Sequence, residues 1–169
     1  MILSTMGIKA LYYAPINKAD PTKMPTTGFK PVDVYQDTCT FKDKDPTTTT
    51  HKSETSNKKI NQVSKEGNEL VFSIMDPSKQ IRADFEGGKC DSINKTYTEP
   101  ETAQNIEMAF IVLPTAGDAL HISCASISAL KNTTYSSKGI SLEDVTATPT
   151  YPIVYSEDLT IPGIVKDVS

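Results

Sequence analysis

The segments "NIEMAFIVL", residues 105–113, and "ALHISCASISAL", residues 119–130, decide the fold class of this chain. The first is rich in isoleucine, valine, leucine and phenylalanine, and the second alternates leucine or isoleucine with small and polar residues over much of its length; β-branched and aromatic residues favour the extended backbone of a sheet. We therefore predict two long strands here. Working outward, similar patterns predict strands over residues 8–14, 32–41, 69–75, 91–99 and 139–151, and one helix over 76–88.

The second of these segments carries a change of side-chain parity. Leu120, Ile122 and Cys124 share one parity, and Ile127 has the other. Because successive side chains of a strand point to opposite faces, this change predicts a β-bulge or bend near residues 125–126.

The helix has recognisable start and stop signals. Asp76 is suited to cap the first N–H groups, Pro77 to the first helical position and Gly87 to the left-handed stop. Ile81 and Phe85 stand four apart and share one face. Six to seven strands and this one helix predict a mainly β, single-domain protein over residues 1–169, a β-sandwich or small barrel with the short helix on its flank.

Charge and hydropathy narrow the class of protein. The chain of 169 residues has a net charge of −4, and its lysines and arginines form no stripe that could follow a phosphate backbone. No stretch approaches the length of a membrane helix, and "MILSTMGIKALYYAPIN" at the start lacks the features of a signal peptide. We expect an unprocessed, soluble protein without stable nucleic-acid or membrane binding, starting at Met1 or Met6.

No set of residues predicts catalysis or metal binding. Cys39, Cys90 and Cys124 are widely separated and odd in number, which favours free thiols in a reducing compartment. His121 and Cys124 would point to opposite faces of a strand, so they cannot share a metal, and His121 is expected to face solvent or a neighbouring subunit. We expect no enzyme activity, no metal and no cofactor.

The polar stretch "DKDPTTTTHKSETSNKK", residues 43–59, interrupts two predicted strands. Connections of this length without structure of their own are usually functional or disordered. Its run of threonines favours an extended arm that could join another subunit, and a flexible solvated loop is the alternative. The residues expected to make that contact are Asp43, Asp45, Thr47, Thr49, His51, Lys52, Glu54 and Lys58.

The order of these features resembles a known family. An opening "GIKALYYAPI" is followed by "VDVYQDTCTFKDKDPTTTTHKSETS", a strand ending in "FSIMDPS", a helix ended by "EGG" and a closing "GISLEDVTATPTYP". In this order the chain resembles the phage tail tube proteins, also called major tail proteins, of phages and prophages of intestinal bacteria. The resemblance spans about residues 7–152, and residues 153–169 have no counterpart in it.

This resemblance implies a structural virion protein. Six copies would close into a ring, the rings would stack through the long loop at 43–59, and DNA would pass through the tube without stable binding. Partners would be the protein itself and other tail proteins, and the location would be the virion tail, assembled in the host bacterial cytoplasm. The alternative is a surface β-sandwich that binds carbohydrate or protein.

Overall fold

The structure is a computed structural model that describes residues 7–164. Within them the chain forms twelve strands and one helix. In chain order they are β1 (Ile8–Pro15), β2 (Lys30–Val32), β3 (Thr40–Asp43), β4 (Thr47–Lys52), β5 (Lys59–Ser64), β6 (Asn68–Met75), α1 (Lys79–Glu86), β7 (Lys89–Asp91), β8 (Thr96–Thr98), β9 (Ile106–Pro114), β10 (Ala119–Thr133), β11 (Ser141–Pro149) and β12 (Val154–Ser156).

One antiparallel sheet of eight strands forms the body of the molecule. Its order is β2-β1-β9-β10-β11-β6-β3, and β12 also pairs with β10. Just beyond β2, Tyr35 N–H donates to the Ser73 carbonyl of β6 at 2.8 Å, and Met75 N–H donates to the Asp33 carbonyl at 2.7 Å. Since β2 also pairs with β1, this crossing joins the two ends of the sheet and rolls it into a barrel.

The barrel interior is filled by alternating side chains and four aromatic rings. Phe72, Phe85 and Phe110 are buried, and the Tyr13 ring lies 4.8 Å from that of Phe85. Phe85 is the buried side chain of α1, so the helix is held against the barrel by this ring. The mainly β class with one short helix is therefore confirmed.

The run of buried residues in β9 has a separate cause. Phe110 packs inside the barrel, whereas its neighbour Ile111 packs in a second cluster with Phe29 and Ile161. Because both faces of β9 are covered, its sequence is almost continuously apolar.

The helix starts later than the sequence predicted. Ser78, and not Asp76, is the N-cap, and its Oγ accepts from Ile81 N–H at 3.2 Å. Asp76 instead has a left-handed backbone, with φ 45°, and its N–H donates to the Ser141 carbonyl at 2.9 Å. The predicted stop is confirmed, because Gly87 has φ 83° and its N–H donates to the Ala83 carbonyl.

Two predicted strands are divided, which raises the strand number above the six to seven expected. Within residues 32–41 the chain leaves β2, which pairs with β1, and residues 33–35 then pair with β6. Asp37 follows with a left-handed backbone, φ 58°. Residues 91–99 fold as the β7–β8 hairpin, in which the Asp91 carboxylate accepts from Ile93 N–H at 2.9 Å. Pairing of residues 33–35 with β6 divided the first segment, and a local turn formed by Asp91 divided the second.

The long strand β10 follows the prediction closely. Its register against β9 shifts between Ile122 and Ala125, slightly before the bulge expected at residues 125–126. β12 was not predicted and places part of the unmatched 153–169 segment beside β10. The two candidate starts, Met1 and Met6, lie outside the described residues.

Candidate functional site: an exposed hairpin and a charged cluster

Residues 44–67 form a hairpin that we call the arm. β3 pairs with β6 so that Asp43 lies opposite Asn68. Beyond them, β4 pairs with β5 from Thr47 opposite Ser64 to Lys52 opposite Lys59, in the same register. The arm therefore continues the β3–β6 ladder past the end of the barrel.

The arm has no contact that buries it. Every residue from 42 to 67 is exposed, and the distance from its base at Asp43 to its tip at Lys52 is about 30 Å for an extended strand. A two-stranded hairpin alone in water is marginally stable. Its surface is thus available for a partner.

The predicted contact residues do not all lie together. Thr47, Thr49 and His51 share one face of β4, since they alternate with Thr48, Thr50 and Lys52. Asp43 lies in β3, Asp45 lies between β3 and β4, and Glu54 and Lys58 lie in the turn at the tip. The turn is closed by Ser53 N–H, which donates to the Lys58 carbonyl at 3.0 Å.

The second strand of the arm was outside the predicted segment, which ended at residue 59. β5 contributes two exposed apolar side chains, Ile60 at 54% and Val63 at 64% relative exposure, which lie on opposite faces of the hairpin. The arm as a whole carries five lysines and three acidic residues, a net +2 in a chain of net −4.

A charged cluster joins α1 to the β10–β11 hairpin, and the sequence did not predict it. Glu143 is fully buried, and one of its oxygens, Oε2, accepts from Arg82 Nη1 at 3.0 Å. Arg82 Nη2 donates to Ser141 Oγ at 2.7 Å. These residues are far apart in sequence and meet only through the sheet register, so no local signal could have found them.

Glu86 of α1 completes the cluster. It accepts from Lys131 Nζ at 2.7 Å and from the Tyr97 hydroxyl at 2.6 Å. Lys131 also forms an ion pair with Glu99. Burial opposes ionisation of Glu86, but these donors outweigh it and lower its pKa.

The folded environment favours the protonated form of Glu143. Burial, and then the neighbouring Glu86, raise its pKa to about 8, against the attraction of Arg82. Its Oε1 is buried and has no donor within reach in the described part of the chain. A proton on this carboxyl removes the repulsion between two adjacent carboxylates, Glu143 and Glu86.

The remaining candidate residues are not brought together. Cys39, Cys90 and Cys124 are free thiols, and burial raises the pKa of Cys39 to about 11. His121, expected to face solvent or a neighbouring subunit, is half-buried; its Nε2 is buried without a hydrogen bond in the described residues, and burial lowers its pKa. Among residues 7–164 there is no group of three or more side chains suited to hold a metal ion.

Comparisons with known proteins find similarity in structure only. No family model and no curated protein matches the chain. Among solved structures it is similar to a chain of an extracellular contractile injection system, the PVC sheath/tube terminator in the extended state, with a TM-score of 0.41 and 10% identity over 92% of this chain and 99% of that chain. A similarity of this size does not assign a function. Within the described residues, no helix has the length and apolar character needed to span a membrane.

Proposed function

We propose that this protein is a structural subunit of a phage tail, with no catalytic role. It assembles with itself as six-membered rings that stack into a tube, and DNA passes through the tube without stable binding. Its other partners are tail proteins, and it is assembled in the host bacterial cytoplasm and located in the virion tail.

The arm is the observation that supports this proposal. It extends the β3–β6 ladder about 30 Å beyond the barrel, and all its residues are exposed. Such a hairpin gains stability only against a partner. A contact made by a projecting element onto a different surface of an identical copy is head-to-tail, and such contacts generate rings or filaments.

The charge distribution also supports the proposal. With the arm at net +2 and the whole chain at −4, the rest of the chain carries net −6. A wall of this sign repels phosphates and lets DNA slide, since stable binding requires clustered lysines and arginines.

The test is to replace the arm and observe assembly. Lys44 N–H donates to the Gly67 carbonyl at 2.8 Å, so an Asn-Gly pair in place of residues 45–66 closes the hairpin with a two-residue turn. We expect the variant to melt within a few degrees of the wild type, because it removes no core residue, and to form no tubes in negative-stain electron microscopy.

A matched control removes an exposed apolar side chain from a different hairpin. Ile93 in the β7–β8 turn is 89% exposed, and Ile93→Ser should leave tube formation unchanged, whereas Ile60→Ser/Val63→Ser should reduce it. Wild-type protein that stays monomeric at high concentration, or tubes formed without the arm, would overturn the proposal.

A further inference from the structure

A groove opens beside the C-terminal half of β10. It has a volume of about 470 Å³ and lies between residues 99–104 and residues 127–131. Consecutive residues of a strand point to opposite faces, yet the five consecutive residues 127–131 of β10 all line the same groove. The groove therefore faces the edge of the strand, where the backbone groups are.

The backbone of β10 is open at this edge. On one side β10 pairs with β11 as far as Thr133, whereas its pairing with β9 ends at Ile127 opposite Ile106. Within the described residues, no other strand pairs with residues 128–133 on the β9 side. An open edge of this kind binds an extended segment through main-chain hydrogen bonds.

The groove is also acidic. Glu86, Glu99 and Glu101 line it together with one cation, Lys131. Lys131 is already paired with Glu86 and Glu99, which leaves the lining with a net charge of −2. The extended segment that complements it is therefore basic.

The arm has both properties, but the arm of the same chain points away from the groove. β6 runs parallel to β10 and antiparallel to β9, as the pairings of β6 with β11, β11 with β10 and β10 with β9 require. The arm leaves the barrel where β6 begins, and the groove opens where β9 begins. The arm of the same chain therefore projects away from the open edge of β10, so an occupant with the chemistry of the arm must come from another copy.

We infer that the groove between residues 99–104 and the β10 edge is the receptor for the arm of a second copy of this chain. The arm lies along residues 128–131, and the lysines near its tip, Lys58 and Lys59, face Glu99 and Glu101. This inference rests on the proposed function, because it requires self-assembly through the arm. It adds the surface that receives the arm.

A charge exchange tests the contact. Glu99→Lys/Glu101→Lys reverses the groove, and Lys58→Glu/Lys59→Glu reverses the arm; each is expected to raise the protein concentration required for tube formation by about tenfold or more. The quadruple variant restores opposite charges and is expected to assemble near the wild-type concentration. Melting temperatures confirm that each variant is folded.

The controls separate this inference from the proposed function. Asp118→Lys/Glu157→Lys makes the same change of charge at two exposed carboxylates outside the groove and should not alter assembly. If arm replacement blocks assembly but the groove reversal has no effect, or if the quadruple variant fails to recover while folded, the receptor is wrong and the proposed function stands. If arm replacement leaves tubes intact, the proposed function itself fails.

Discussion

A single buried carboxyl shows how tertiary structure changes the chemistry of a residue. Glu143 would be ionised in an exposed strand. In the barrel it is fully buried beside Arg82 and Glu86, and two adjacent carboxylates cannot both ionise at low cost. The proton on Glu143 therefore belongs to the folded state.

The proton makes stability depend on pH. An acid whose pKa is raised by folding loses its proton on unfolding, so stability falls as pH rises from the unfolded value of about 4.3 to about 8. Glu86 has a lowered pKa and acts in the opposite direction at lower pH. His121, whose pKa burial lowers, also acts in the opposite direction below about pH 7. We therefore expect the melting temperature to decline from about pH 7 to 8, and Glu143→Gln, which keeps a neutral donor, to flatten this decline in thermal scans.

Removing the side chain of Glu143 has a different effect. Glu143→Ala leaves Arg82, whose side chain is 14% exposed, without the hydrogen-bond acceptor that Glu143 Oε2 provides. Removing the acceptor of a buried charged donor costs about 3 kcal/mol, so denaturant unfolding should show a large loss at pH 7. Equal losses for Glu143→Ala and Glu143→Gln would show that the charged pair, and not a neutral carboxyl, is the native state.

At the scale of elements, the helix illustrates how a local signal can be displaced. Asp76 and Pro77 look like a start, but Asp76 is the last link of β6 to β11, through its N–H to Ser141. The chain turns there with a left-handed residue, and Ser78 then takes the cap. Pairing within the sheet therefore moves the N-cap two residues later, from Asp76 to Ser78.

Substitutions distinguish the two candidate caps. Ser78→Ala removes a side-chain acceptor and should destabilise the protein by about 1 kcal/mol. Asp76→Gly should be neutral or stabilising by up to about 1 kcal/mol, because glycine adopts positive φ without strain. Urea titrations measure both, and a larger loss at Asp76 would restore the cap predicted from sequence.

At the scale of the whole molecule, the barrel directs the arm away from the acidic groove. This polarity follows from strand direction, and it gives a head-to-tail assembly a defined axis. The arm is not held by the core, so it lies at the low-stability end of the molecule.

Hydrogen exchange can follow this arrangement. Amides of β4 and β5 are expected to exchange quickly in the monomer, because that hairpin has neither a third strand nor a buried face, and slowly in the assembled tube. Amides of residues 128–133 on the open edge of β10 should gain protection together with them. Amides of the β9–β10 ladder, which is buried in both states, provide the control, and an arm unprotected in tubes would contradict the contact.

The sequence by itself determined the features that depend on interactions between neighbouring residues. Segments rich in apolar, β-branched and aromatic residues predicted β1, β6, β9, β10 and β11, the parity change predicted the bulge, and Gly87 predicted the end of the helix. The run of polar residues also predicted an exposed arm. Each of these depends on neighbours within a few residues, so a single chain segment contains the information.

Only the tertiary structure determined the features that depend on contacts between residues far apart in sequence. Closure of the barrel required residues 33–35 to bond to β6, and this broke a predicted strand in two. The register of β10 against β11 brought Lys131 opposite Glu143 and so built the charged cluster. The groove exists because β9 ends before β10 does along their shared ladder. This offset depends on how the two strands pair, so the sequence of either strand by itself does not predict it.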